Sequence, residues 1–211
     1  MKRRSGGFTL MELMVVLAIA ASVLVIGAPS FNTFRLNNRL TNAANDALAA
    51  ITKARTEAIK RQGPVSMCAS AAPNAATPAC TDGATAGFIV FNDPNNNCLR
   101  ESTEDMLSSA VYEVSFSNTN PLRIKSNGNC ISFAATGFRQ DIASRTTLSH
   151  LVFCDNRGVA LQVGTTQSAG RGISLARTGR ARISRITSGS GVANGQGLAE
   201  DLSTWSDATC P

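Results

Sequence analysis

Histidine occurs once in these 211 residues, aromatic side chains make up 5% and charged side chains 16%. So few titratable groups leave little material for an active site. His150 stands beside no acid, and the chain carries no nucleophile and base at a recognisable spacing, no paired carboxylates and no glycine-rich phosphate loop. An enzyme is therefore not expected, and no cofactor is implied. The six cysteines include no CxxC pair and have no histidine at ligand spacing, which argues against a zinc site. No repeat at solenoid spacing occurs. Disorder is excluded as well, because 43% of the residues are hydrophobic. The length suits one domain with an appendage.

What is present begins at the amino terminus. Met1 to Gly7 read MKRRSGG, with three cations and no apolar residue after Met1, and Phe8 to Ala28 is apolar apart from Thr9, Glu12 and Ser22. A helix over those roughly 21 positions reaches about 30 Å, the thickness of a bilayer hydrocarbon core. Lys2, Arg3 and Arg4 would stay on the cytoplasmic side. An ordinary secretory signal cut near Ala28 is the alternative, and Glu12 opposes it. An acid there costs a few kcal/mol in lipid, so it is kept where a partner neutralises it.

The stretch Gly7-Phe8-Thr9-Leu10-Met11-Glu12 followed by Leu13 to Ile19 resembles the type IV prepilin signature shared by pilins, minor pilins and type II secretion pseudopilins. The resemblance implies that a prepilin peptidase cuts between Gly7 and Phe8 and methylates the new amino terminus. It also implies that Glu12 pairs with the terminal amine of Phe8 in a neighbouring filament subunit, so that the buried charge is compensated. The implied location is the inner membrane, single-pass, with a periplasmic C-terminal domain that enters a pilus at the cell surface. Pro29 would kink or locally melt the helix, or else mark its end.

From Phe31 to Gln62 the pattern is helical. Leu40, Ala44, Ala47, Ile51, Ala54 and Ala58 form one stripe, on which a sheet is expected to pack, and Gly63-Pro64 supplies the stop. Beyond Pro64 come short β-type runs at Val65 to Ala69, Gly87 to Asn92, Ala110 to Phe116, Leu122 to Ile124, Cys130 to Phe133, Thr147 to Cys154, Val159 to Gly164 and Gly172 to Ile186. Turn formers separate them, as in Asp93-Pro94-Asn95-Asn96-Asn97 and Asp155-Asn156-Arg157-Gly158.

Phe88 to Asp93, then Ile131-Ser132-Phe133 with Gly137, then Phe153 to Gly158 resemble the block order of the GspH/FimT family. The expected fold is α+β and pilin-like, a long N-terminal helix packed on antiparallel sheets. The expected organisation is a leader at 1–7, a transmembrane half-helix at 8–30, a soluble half at 31–62, a β-rich domain at 63–186 and a flexible linker and tail at 187–211. Other major and minor pilins, the prepilin peptidase and the inner membrane are the implied partners.

Cys68, Cys80, Cys98, Cys130, Cys154 and Cys210 all follow the membrane segment, and an even count in an exported domain points to disulfides. Six cysteines allow fifteen pairings. Proximity suggests Cys68 with Cys80, a return of Cys210 to Cys154 would tie down the tail, and Cys98 with Cys130 remains. Asp93, Asn95, Asn97 and Glu104 match four positions of a calcium loop, but Cys98 replaces the turn glycine, so an Asn-rich hairpin loop is expected instead.

The formal charge is +6. Without the leader cations, 17 basic residues face 14 acidic ones, yet from Asn156 through Ala199 the chain holds Arg157, Arg171, Arg177, Arg180, Arg182 and Arg185 and no acid. Arginine pairs with phosphate through a two-pronged fork, so the pattern suits a polyanion. If the run is a strand, Arg180 and Arg182 share a face and Gly179 leaves the backbone accessible. The segment Gly179-Arg180-Ala181-Arg182 resembles the GRxR element with which FimT-like minor pilins of naturally competent bacteria contact DNA. The resemblance implies double-stranded DNA as a partner, bound without sequence specificity by Gly179, Arg180, Arg182, Arg177, Arg171 and Arg185. Four phosphate contacts would give a logarithmic salt slope of about −3.6. The scarcity of nearby aromatics disfavours base stacking. The alternatives are a charged edge strand that resists pairing, in a structural pilus-initiation subunit or a GspH-like type II secretion pseudopilin.

Overall fold

The computed structural model describes residues 7–81, 86–111, 122–142, 145–157 and 167–187. The chain divides into two units, residues 1–39 and 40–211. One helix, α1 (Leu10–Arg61), supplies elements of both.

In the first unit, Thr9 caps the helix: its hydroxyl accepts the Glu12 N–H at 3.2 Å. Thr9-Leu10-Met11-Glu12 thus forms one side of a capping box, and Glu12 lies in the first turn, where the helix dipole favours an anion. The apolar side chains from Leu10 to Val25 are exposed. The helix is long and apolar enough there to cross a membrane. It continues through Pro29, so position 29 is neither a boundary nor a melted segment.

In the second unit, the stripe Leu40, Ala44, Ala47, Ile51, Ala54 and Ala58 is buried, as the spacing predicts. The helix ends in a Schellman motif: Gly63 N–H donates to Ala58 O and Gln62 N–H to Ile59 O. Gln62, not Gly63, takes the left-handed conformation, with φ +53°.

Among the described residues nine strands follow: β1 (Val65–Ser70), β2 (Gly87–Asn92), β3 (Met106–Val111), β4 (Arg123–Ser126), β5 (Cys130–Phe133), β6 (Arg139–Gln140), β7 (His150–Cys154), β8 (Gln167–Leu175) and β9 (Ala181–Thr187). They form two antiparallel sheets, β3-β2-β1-β5-β6 and β4-β7-β8-β9. A long helix on antiparallel sheets is the expected α+β architecture.

Strand alternation divides the five-stranded sheet between two environments. Val65, Met67, Phe88, Val90, Ile131 and Phe133 join the helix stripe in the main core, along with Leu151, Phe153 and Ile173 of the four-stranded sheet. Cys68, Ile89, Phe91, Cys98, Cys130 and Ile142 form a second cluster. Each wholly buried phenylalanine contributes about 2 kcal/mol of transfer free energy.

Two expectations about strands are corrected. The run Gly172 to Ile186 is not one strand: a turn at Ala176–Arg180 separates β8 from β9. β6 is an additional strand, too short to leave a periodic signal. The candidate strand Val159 to Gly164, residues 112–116 of another, and the tail from 188 to 211 with Cys210 lie outside the described residues.

Candidate nucleic-acid interface

The arginine segment folds into a hairpin whose tip is set by backbone chemistry. Gly179 N–H donates to Ala176 O at 2.9 Å, Ala176 N–H donates to Arg180 O at 2.9 Å, and Gly179 has φ +78°. This is the three-residue loop in which a type I turn is followed by a left-handed residue. Only glycine takes that conformation without strain.

A second turn has the same construction. Gly137 N–H donates to Ala134 O at 2.8 Å, Ala134 N–H donates to Phe138 O at 2.9 Å, and Gly137 has φ +76°. The sequences correspond: Ala134-Ala135-Thr136-Gly137-Phe138 and Ala176-Arg177-Thr178-Gly179-Arg180.

The two turns touch. Arg139 N–H donates to Arg177 O at 3.0 Å, and the Arg139 guanidinium reaches Leu175 O at 3.3 Å. A Cβ on Gly179 would lie 2.2 Å from Gly137 O, so the glycine allows a backbone contact that no other residue permits. The same Gly137 carbonyl accepts Arg55 Nε at 2.9 Å, which ties the paired turns to α1. Gly179 is therefore buried against protein, and the expectation that it leaves the backbone accessible is corrected.

The arginines separate into distinct environments. Arg177 and Arg180 are exposed at the hairpin tip. Arg182 is half-buried, and Ala181 and Ile183 on either side of it pack on the core, so Arg182 lies on the opposite face of β9. Arg180 precedes the strand rather than lying within it. Arg171 is buried, its Nη1 donating to Ala169 O at 2.7 Å and Gly170 O at 3.2 Å. In register, Arg171 pairs with Arg185. Arg157 forms a fork with Asp155, with Nη2 to Oδ2 at 2.6 Å and Nε to Oδ1 at 3.0 Å. The acid-free stretch is thus less basic in space than in sequence, because Asp155 lies just upstream of it. Arg139 and Arg55, by contrast, join the hairpin from sequence positions that no local motif links to it.

The other candidates take structural places. Cys68 is bonded to Cys80 and Cys98 to Cys130, with Cα separations of 5.5 and 6.3 Å. Cys154 is also disulfide-bonded. The Asp93 carboxylate accepts the N–H groups of Asn97 and Cys98 at 3.1 and 3.0 Å and the Ser66 hydroxyl. Among the described residues no group of three acidic, histidine or cysteine side chains could hold a metal. Cys98 itself adopts φ +57°, which a glycine would otherwise supply. Burial raises the Glu104 carboxyl above its ordinary pKa, against the opposing hydrogen bond from the Glu101 N–H. His150 is buried in β7, its Nδ1 2.9 Å from the Ser149 hydroxyl. Gly7 is unobstructed and Phe8 is exposed.

A pilin-like chain is defined by these elements: an N-terminal apolar helix, an alanine-rich continuation and a disulfide-bonded β unit. The family model for the type II transport protein GspH matches residues 43–179, and the prokaryotic N-terminal methylation motif matches residues 2–28. The chain belongs to the GspH family, whose members are structural proteins rather than enzymes. The GspH match ends at Gly179, within the arginine hairpin. No curated protein matches the chain. Two crystal forms of the type IV minor pilin FimU from Pseudomonas aeruginosa (strain PAO1) are similar to it. The P21 form has 20% identity and a TM-score of 0.39, covering 71% of this chain and 91% of that one. The P65 form has 19% identity and a TM-score of 0.37, covering 68% and 91%.

Proposed function

We propose that this GspH-family chain is a minor type IV pilin that binds extracellular double-stranded DNA through its arginine hairpin, for uptake in natural transformation, while contributing to pilus assembly. One observation carries the reading: Arg177 and Arg180 are exposed at a tip where two glycine turns dock backbone to backbone, with Arg182 following on the strand. A pre-formed turn presents the two arginines without a backbone ordering cost, and phosphate contacts select charge rather than sequence. Arg171 supports the strand from inside and is left out of the contacting set.

In this reading residues 1–7 form a leader removed between Gly7 and Phe8, and the new Phe8 amine is methylated. Residues 8–30 span the inner membrane, residues 31–62 continue the helix, residues 63–186 form the periplasmic domain and residues 187–211 a linker and tail. Glu12 pairs with the Phe8 amine of a neighbouring pilin when the chain leaves the membrane for the filament.

The second reading is a structural pilus-initiation subunit or a GspH-like type II secretion pseudopilin without DNA binding, favoured by the GspH match itself. A gel-shift titration of the full chain in detergent with duplex DNA separates the two. Binding that weakens with salt and is lost in Arg180→Ala/Arg182→Ala supports the first reading. No shift at low salt overturns it in favour of the second.

A further inference from the structure

We infer that Phe138 and the arginine hairpin form one composite site that, besides duplex DNA, takes single-stranded DNA, with the phenyl ring stacking on an unpaired base. The inference rests on the polyanion reading of the hairpin and extends it to the form of the nucleic acid.

The placement follows from the docked turns. Phe138 lies between Gly137, whose carbonyl abuts Gly179, and Arg139, whose N–H donates to Arg177 O at 3.0 Å. In the paired turns Phe138 occupies the position that Arg180 occupies in the other. Phe138 is 53% exposed, whereas Phe88, Phe91, Phe133 and Phe153 are all 1% exposed or less. Below the turn, a Cβ on Gly137 would meet the Ile59 Cδ1 atom at 2.7 Å, and Ile59 is itself 47% exposed. The exposed Phe138 therefore belongs to a turn, lying over Ile59 of α1, that is docked backbone to backbone on the turn that exposes Arg177 and Arg180.

That combination discriminates between forms of DNA. Phosphate contacts from the arginines are available to a duplex and a single strand alike. A ring gains from stacking only where a base face is free, and in a duplex it must first separate adjacent stacked base pairs at a cost of a few kcal/mol. Charge complementarity favours a polyanion over an apolar protein partner on this surface, because an apolar partner would have to bury the adjacent arginines.

The test measures fluorescence anisotropy of the full chain in detergent with three probes: a single-stranded oligonucleotide, its duplex and an abasic strand of equal phosphate number. The wild type is expected to bind the single strand about fivefold or more tightly than the abasic strand. In Phe138→Ala and Phe138→Leu the ratio of single-strand to abasic affinity falls to near one, and Phe138→Trp retains it. Equal melting temperatures show that the variants are folded. Equal wild-type affinity for the single and abasic strands, or a ratio unchanged in Phe138→Ala, overturns the stacking role and assigns the ring to a protein contact, while the arginine reading stands. Absence of binding to all three probes overturns both.

Discussion

The turns Ala134–Phe138 and Ala176–Arg180 share a backbone and differ in what they display. Both close with the same pair of hydrogen bonds, and both place glycine at φ near +77°. The first carries Ala135, Thr136 and Phe138; the second carries Arg177, Thr178 and Arg180. Backbone geometry is thus set by the recurring Ala-x-Thr-Gly, whereas the chemistry offered to solvent is set by the exposed positions around it. Because the turns support each other, the scaffold of the arginine tip belongs in part to the other hairpin.

Their glycines are unequal, and this gives the largest expected effect. At Gly179 an added Cβ meets the Gly137 backbone carbonyl at 2.2 Å, whereas at Gly137 it meets the mobile end of Ile59 at 2.7 Å. Gly179→Ala should cost about 3 kcal/mol or more, strain plus clash, and Gly137→Ala about 1–2 kcal/mol. Urea unfolding of the two variants would show this asymmetry, and equal losses would refute the docked arrangement. Arg55→Ala removes the bond from α1 to Gly137 O and should cost about 1.5 kcal/mol by the same assay. Lys53→Ala, whose exposed ammonium donates to Leu107 O, should cost less than that.

The displayed side chains can be exchanged without touching the scaffold. Arg177→Ala/Arg180→Ala should reduce the logarithmic salt slope for duplex DNA by about 1.8, read from titrations over a range of salt concentrations. Ala135→Arg gives the first turn an arginine equivalent to Arg177 and should raise the slope by about 0.9. A change in the first variant with none in the second would mean that only one turn faces the DNA.

The smallest effect serves as a contrast away from both turns. The Glu104 carboxyl has a raised pKa in the fold, so the folded chain holds its proton to higher pH than the unfolded chain does. Below the ordinary carboxyl range both states are protonated and no penalty arises. Stability is then lost as pH rises through the raised value. Glu104→Gln should therefore gain stability relative to the wild type as pH increases from about 4 to 8, with DNA affinity unchanged. Thermal melts across that range check the sign.

Much of the fold was legible in local pattern. The alanine stripe has a helical period, and strands such as Gly87–Asn92 and Cys130–Phe133 are apolar runs bounded by turn formers. The β8–β9 turn was not, because Ala-Arg-Thr-Gly contains one turn former and lies in a run of strand-compatible residues. The left-handed conformations of Gln62 and Cys98 were equally hidden, since neither residue type signals positive φ. Half of the candidate site was legible: Arg177, Arg180 and Arg182 stand together in sequence. Arg139 and Phe138 could have been suspected only from the repeated Ala-x-Thr-Gly, about forty residues upstream.

The sequence by itself determined the apolar N-terminal helix, the alanine face, the cysteine-bearing β unit and the concentration of arginine near its end, because each rests on composition and short-range period. Tertiary structure alone decided that Arg171 turns inward while Arg177 and Arg180 face solvent, and that the turn carrying Phe138 docks on the turn carrying those two arginines. The docking rests on a backbone contact between two glycine turns, and a contact between segments far apart in the chain leaves no periodic mark on either one.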